Sequence, residues 1–468
     1  MSGALLDGPA AAIAAAVKSG AASAREVTEA ALDRIARRNG ALGAFTDLTA
    51  ERALAKADAI DEARAGGKSL GPLAGAPFAA KNLFDIEGLA TRAGSKINRE
   101  RRPAAKDATL IARLEAADAV LLGGLNMGEY AYDFTGRNVH DGACRNPHAL
   151  DHMAGGSSSG SGAAVAGGLV PVALGSDTNG SIRVPSSFCG VFGLKPTYGR
   201  LSRAGTFPFV ASLDHLGPFA RSTLDMALSY DAMLGLDAAD PAQAETPATL
   251  LAPSLDEGIA GVRIARLGGY FARRAESAAS AAVDIVAKAL KAERVVELEG
   301  AERARAAAYL ISMSEGGALH LDRLRTRAAD FDPEVRDRLI AGAMLPGIWA
   351  TQAQKFRRHF RETALKLFRE VDVLVAPATP TRAPRLDQQT FVLDGEEMRV
   401  RPNIGIFTQP ISFIGLPVVA APIWTAGESL PIGVQIIAPP WREDLALRVA
   451  RRLERDGVAS APIAANLA

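Results

Sequence analysis

The chain has 468 residues, 48% of them hydrophobic and 22% charged. That is ample apolar material for a large core and excludes a disordered or collagen-like chain. Its 53 Lys and Arg balance 52 Asp and Glu, so no global field favours nucleic acid or an anionic membrane. Cys144 and Cys189 are the only cysteines, too few for a disulfide scaffold and in keeping with a reducing cytoplasm.

The opening MSGALLDGPAAAIAAAVKSG carries Asp where a signal peptide carries Lys or Arg, and its alanine run reads as a helix. No stretch reaches the roughly 18 apolar residues of a membrane span, so a soluble cytoplasmic protein is expected. The first 65 residues are predicted helical. Ser23 and Glu26 form an S-x-x-E capping box ahead of VTEAALDRIARR, and Asn39-Gly40 supplies a stop. A second helix is predicted from Thr49 to Arg64. Strand-length apolar runs then appear at 119–124, 169–175, 262–268, 371–377 and 432–438, separated by alanine-rich amphipathic helices. This alternation predicts an α/β fold, a sheet with helices over both faces. Residues 236–260 read as a surface excursion and 379–405, with Pro380, Pro384 and Pro402, as a long loop.

Residues 153–200 carry the chemistry. They read MAGGSSSGSGAAVAGGLVPVALGSDTNGSIRVPSSFCGVFGLKPTYGR. GGSSSGSG taken alone is a flexible linker, yet it runs straight into a buried helix-then-strand pattern. A glycine-serine turn before a buried helix exposes backbone N–H groups suited to an anion or oxyanion. Neither a P-loop nor a dinucleotide fingerprint is present. The second turn, SDTNGSIR, places Ser181 after Asn179-Gly180 at the mouth of a sheet edge. The six histidines have no metal-ligand grouping and no G-x-S-x-G elbow accompanies them. They read as surface or supporting residues, and both cysteines read as inert.

GGSSSGSG, SDTNGSIR and CGVFGLKPTYGR together resemble the amidase signature family, and the flanks GPLAGAPFAAKNLFDIEG and PIGVQIIAPPWREDLALRVA agree. The resemblance implies an amidase-signature fold: one domain over 1–468 with a large mixed β-sheet core covered by helices on both faces. A helical segment over 1–67 would pack on a signature core over 71–225, with a more variable helical region over 236–370. It implies a Ser-cisSer-Lys triad of Ser181 as nucleophile, Ser157 as bridge and Lys81 as base, with Ser157 and Ser181 separated by 24 positions. Ser158 is the neighbour most easily confused with Ser157. A serine needs a base, and a lysine serves only when burial lowers its pKa. Lys81 follows the apolar run APFAA; an isolated lysine would otherwise read as a surface residue. The oxyanion hole falls on the N–H groups of Thr178, Asn179, Gly180 and Ser181. The family usually has glycine at the positions of Asn179 and Ser159; asparagine tolerates positive φ and adds a side-chain donor. Asp177 and Arg183 read as an internal pair holding the turn.

Within the family the wording is most similar to the carboxybiuret-hydrolase subgroup of cyanuric acid degradation. That implies cleavage of a small carboxylated urea-like amide with ammonia release. The alternatives are the glutamine-hydrolysing A component of an amidotransferase, a broad aliphatic or aryl amidase, or an idle scaffold. No metal or organic cofactor is implied. The implied partner is a small helical subunit similar to the amidotransferase C component, in a homodimer or heterotetramer, with no nucleic acid as a direct ligand. A substrate carboxylate calls for arginine. Arg338 and then Arg323 are the candidates, although arginines in such a run are usually solvated. Tyr130, Tyr132 and Phe134 stand as channel residues or as ordinary core.

Overall fold

The computed structural model describes residues 2–465 and 467. Its centre is an eleven-stranded mixed sheet. In spatial order the strands are Phe45–Leu48, Val120–Leu125, Pro77–Lys81, Val172–Asp177, His215–Ala220, Phe192–Lys195, Val418–Ile423, Ile432–Ile437, Val373–Pro377, Ile264–Leu267 and Val295–Val296. Val120–Leu125, Pro77–Lys81 and Val172–Asp177 run parallel to one another. A second parallel group, Val373–Pro377 with Ile264–Leu267 and Val295–Val296, lies at the far edge. The pairings between these groups are antiparallel.

All residues of Val120–Leu125, Val172–Asp177, His215–Ala220, Val418–Ile423 and Ile432–Ile437 are buried. Side chains along a strand alternate between faces, so both faces of the sheet are covered. This is why these strands read as continuous apolar runs in the sequence.

The capping box is formed: Glu26 N donates to Ser23 Oγ at 3.0 Å and Ser23 N donates to the Glu26 carboxylate at 3.1 Å. The helix it opens, Ala24–Leu42, does not stop at Asn39-Gly40. It ends at Gly43, whose φ of 62° takes the left-handed cap. Asn39 instead brackets the next element, accepting from Phe45 N at 2.7 Å and donating to Phe45 O at 3.1 Å. That element, Phe45–Leu48, is a strand on the edge of the main sheet, inside a segment expected to be helical throughout. Four residues show no periodicity; their pairing with Val120–Leu125 decides them.

The expected long loop at 379–405 contains a hairpin, Thr390–Leu393 against Glu396–Arg399. Asp394 (φ 52°) and Gly395 (φ 77°) make its turn. An Asp-Gly pair with both residues at positive φ is the favoured two-residue hairpin connection, so the signal was present in the sequence. Phe391 and Leu393 anchor it in a small cluster with Met153, Val184 and Phe188. Residues 236–260 are irregular; within them Asp240 pairs with Arg203 at 2.9 Å.

Candidate active site

Parallel pairing assembles the site. Ala80 lies opposite Leu174, so Lys81 at the end of one strand meets Ser176 and Asp177 at the end of its neighbour. The carboxyl ends of adjacent parallel strands are where open α/β sheets hold ligands. The SDTNGSIR turn therefore leaves the end of an interior strand, flanked on both sides, and not a sheet edge. The glycine-serine segment is no linker. The helix Ser159–Ala166 that follows it is buried at every residue. A Cβ on Gly160 would lie 2.6 Å from Asn126 N. The Gly156–Ser157 peptide is cis.

Lys81 is fully buried and has no ion-pair partner among the described residues. Its Nζ lies 2.7 Å from Ser157 Oγ, 3.0 Å from Ser158 Oγ and 2.9 Å from Ser176 Oγ. Burial lowers its pKa to about 7, against the opposing pull of Asp214, Asp177 and Asp133. Ser158 Oγ is engaged with the strand, donating to Ser176 O at 3.0 Å and accepting from Ser176 N at 3.2 Å. Ser157 Oγ has no such backbone tie, which separates the two serines the sequence left adjacent. Ser176 has no signal of its own in the sequence, because its nearness to Lys81 comes from strand pairing.

Ser181 is 3% exposed and follows Gly180, whose φ is 141°. A Cβ on Gly180 would meet Thr408 Oγ1 at 2.1 Å, so only glycine fits. Asn179 is not at positive φ; its tolerance of that region is not what lets the turn form. No hydrogen bond among the described residues uses the N–H groups of 178–181. Ser181 Oγ likewise has no hydrogen-bond partner there, and no hydrogen bond joins it to Ser157 among the described residues. Catalytic hydrogen bonds commonly tighten only when substrate is bound.

Beneath the turn, Arg183 and Asp177 are both wholly buried and paired, Nη2 to Oδ1 at 2.9 Å and Nε to Oδ2 at 2.9 Å. Gln435 Oε1 accepts from Arg183 Nη1 at 2.6 Å, and Ser412 contacts both partners. The arginine beside it holds Asp177 well below the usual carboxylate range despite burial. Thr178 Oγ1 donates to Asp214 at 2.6 Å. The donor of Asn179 does not enter the site: Nδ2 gives its hydrogen to Ser312 Oγ at 2.8 Å.

Ser181 opens on a small cavity of about 20 Å³, walled by Thr178, Asn179, Tyr132, Phe134, Arg338, Tyr309 and Gln409 among others. Arg338 sits 3.9 Å over the Tyr132 ring, with Nη2 donating to Tyr132 O at 2.5 Å and Nε to Glu334 O at 2.8 Å. It also borders an outer cleft of about 600 Å³ containing Arg137, Arg399 and Arg401. Arg323 is not on the Ser181 cavity; it lies over the rings of Phe207 and Tyr130 at 5.3 and 6.0 Å. Tyr130 is core, its hydroxyl accepting from Ser95 Oγ at 2.8 Å, whereas Tyr132 and Phe134 reach the cavity. Tyr309 and Gln409 come from distant elements, and no local signal marks them.

Two histidines depart from the surface reading. His215 and His320 are buried, and burial holds both imidazoles well below their ordinary pKa. His215 Nδ1 lies 3.0 Å from Asp177 O. Burial raises the Cys144 thiol to about 12 and Cys189 well above normal, so neither is a thiolate at neutral pH.

The model of the Amidase family matches residues 26–447. The chain belongs to the amidase family. This amidase is 55% identical over 444 residues to AtzE, the 1-carboxybiuret hydrolase component of Pseudomonas sp. (strain ADP), covering 95% of this chain and 97% of that protein. It is 37% identical over 472 residues to the A component of the glutamyl-tRNA(Gln) amidotransferase of Chromohalobacter salexigens, covering 95% of each. A solved structure of a vestigial protein complex, bearing on the origins of an s-triazine catabolic enzyme, superposes with a TM-score of 0.96 at 54% identity, covering 97% of this chain and all of that one. The amidase is an amide hydrolase with the mixed α/β fold of its family. Among the described residues no helix is long and apolar enough to cross a membrane.

Proposed function

We propose that this amidase hydrolyses a small carboxylated urea-like amide of the 1-carboxybiuret type, with Ser181 as nucleophile, Ser157 as proton relay and Lys81 as base. The observation that carries the catalytic part is the buried amine of Lys81, brought to a pKa of about 7 and held 2.7 Å from Ser157. At that pKa a large fraction of the amine is neutral near pH 7 and able to accept a proton.

Ser181 loses its proton through Ser157 to Lys81 and attacks the amide carbon. The tetrahedral oxyanion takes the N–H groups of Thr178, Asn179, Gly180 and Ser181, which have no other acceptor. The ammonium of Lys81 returns its proton through Ser157 to the leaving nitrogen, the C–N bond breaks, and ammonia leaves an ester on Ser181. Water then attacks the ester by the reverse route. No cofactor is needed for any step.

Two facts support the carboxylated substrate: the 55% identity to AtzE over nearly both full lengths, and Arg338 beside Ser181 in one cavity. Arg338 is the residue proposed to hold the carboxylate, with Tyr132 orienting it; Arg323 is left without that role. The partner proposed is a small helical subunit similar to the amidotransferase C component, in a heterotetramer, supported by the protein complex formed by the 54% identical neighbour. Work in the cytoplasm accords with the free cysteines. The 37% identity to the amidotransferase A component supports the second reading, glutamine hydrolysis feeding a partner. An ammonia-release screen over carboxybiuret, biuret, allophanate, glutamine and aryl amides decides between them. Preference for glutamine would reject the first reading.

A further inference from the structure

A residue on the wall of the Ser181 cavity carries an acceptor that no described residue uses. Asn179 is 7% exposed, lines the cavity, and its Oδ1 is buried without a hydrogen-bond partner. Its orientation is fixed by Nδ2, which donates to Ser312 Oγ at 2.8 Å; Ser312 is not among the residues lining the cavity. A buried carbonyl oxygen without a donor is costly, and in a binding cavity that cost is relieved by a ligand that brings the donor. A second wall residue, Tyr132, 6% exposed, has a buried hydroxyl that is also unpartnered among the described residues.

The neighbouring groups narrow the ligand. The N–H groups of 178–181 present donors only, which suits a carbonyl oxygen. Arg338 presents donors and charge, which suits a carboxylate. Asn179 Oδ1 presents the opposite polarity, one side chain away from the turn that would hold the carbonyl. A simple alkyl or aryl amide has carbon on the acyl side of that carbonyl and can give Asn179 nothing. A ureido compound has N–H there.

We infer that Asn179 is a specificity-determining residue whose Oδ1 accepts a hydrogen bond from an N–H on the acyl side of the scissile carbonyl, selecting ureido substrates over their carbon isosteres. This rests on the reading of Ser181 as the nucleophile. Ser312 is the corresponding positioning residue: it touches no substrate and holds the carboxamide in register. A site built around a hydrogen bond discriminates strongly against an analogue lacking it.

Biuret and malonamide test this, since they differ only by NH in place of the bridging CH₂. Each is used to slow labelling of the full-length protein by a fluorophosphonate probe. The expected result is that biuret protects the wild type at a concentration at least about tenfold lower than malonamide. Asn179→Ala is expected to bring the two concentrations within about twofold of each other. Ser312→Ala is expected to narrow the gap part-way and Ser312→Thr to restore it, which serves should Asn179→Ala fail to fold. Equal protection in the wild type, or an unchanged ratio in the variants, overturns the inference while leaving Ser181 labelled. Absence of labelling at Ser181 overturns the nucleophile reading and this one with it.

Discussion

Lys81 Nζ and Ser157 Oγ lie 2.7 Å apart, and no carboxylate among the described residues pairs with the amine. This lysine is therefore solvated by hydroxyls alone, and burial shifts its pKa to about 7. The base form exists above that value, so kcat/KM is expected to rise as pH increases through about 7 and level off above it. A pH–rate profile on the best substrate measures this. A profile flat from pH 6 to 9 contradicts Lys81 as the base.

The same shift links to stability. Its folded value of about 7 lies below the ordinary 10.5. Between these, the unfolded chain holds a proton that the folded chain has released, so stability at this site rises with pH across the window and is lowest at and below 7. Lys81→Met removes the linkage. The melting temperature of the variant minus that of the wild type is expected to fall from pH 7 to pH 9.5, read by thermal scans. A difference independent of pH counts against a depressed lysine.

Ser157 and Ser158 both reach Lys81 but should differ in consequence. Ser157→Ala and Ser181→Ala are each expected to lower kcat by at least about 10³-fold with the fold intact. Ser158→Ala removes the hydroxyl that serves both backbone groups of Ser176, so a stability loss of about 1–3 kcal/mol with a smaller kinetic loss is expected. Circular dichroism melts beside steady-state kinetics separate the two; equal kinetic loss at both serines would reject Ser157 as the sole relay.

Arg338 is held by stacking on Tyr132 and by two backbone carbonyls. Arg338→Ala is expected to raise KM for an anionic substrate by roughly 10–100-fold, the worth of a charge-assisted hydrogen bond. Arg338→Lys restores little, because an ammonium cannot stack and fork in the same way. Unaltered KM in both variants places the carboxylate elsewhere.

Arg183→Met leaves Asp177 buried without its ion-pair partner beneath the Ser181 turn. Breaking such a pair costs about 3–5 kcal/mol, so the melting temperature should drop by several degrees and activity should fall with it. A variant that melts like the wild type shows that the pair does not hold the turn.

The local turn chemistry was legible because it is short-range. The S-x-x-E cap, the two serine turns and the Asp177–Arg183 pair each lie within a few residues of sequence, where backbone preferences and side-chain reach decide the outcome. Lys81 and Ser181 stand out through motif resemblance, not through any property of an isolated lysine or serine. By contrast, the strand Phe45–Leu48, the burial of His215 and His320, and the hydroxyl of Ser176 beside Lys81 depend on which strands pair. The Asp394-Gly395 hairpin is an exception, a local turn signal masked by the prolines and charges of the segment around it.

The sequence by itself determined the alternation of buried strands and helices, because apolar periodicity is written residue by residue. By resemblance it also marked the side chains proposed for acyl transfer. Only the tertiary structure decided their surroundings: Lys81 is buried with its pKa lowered to about 7, Ser158 and not Ser157 is tied to the backbone of Ser176, and Arg338 rather than Arg323 borders the cavity of Ser181. The physical reason is that pKa, hydrogen-bond satisfaction and cavity walls are set by desolvation and by neighbours remote in the chain, and neither is encoded in any local window.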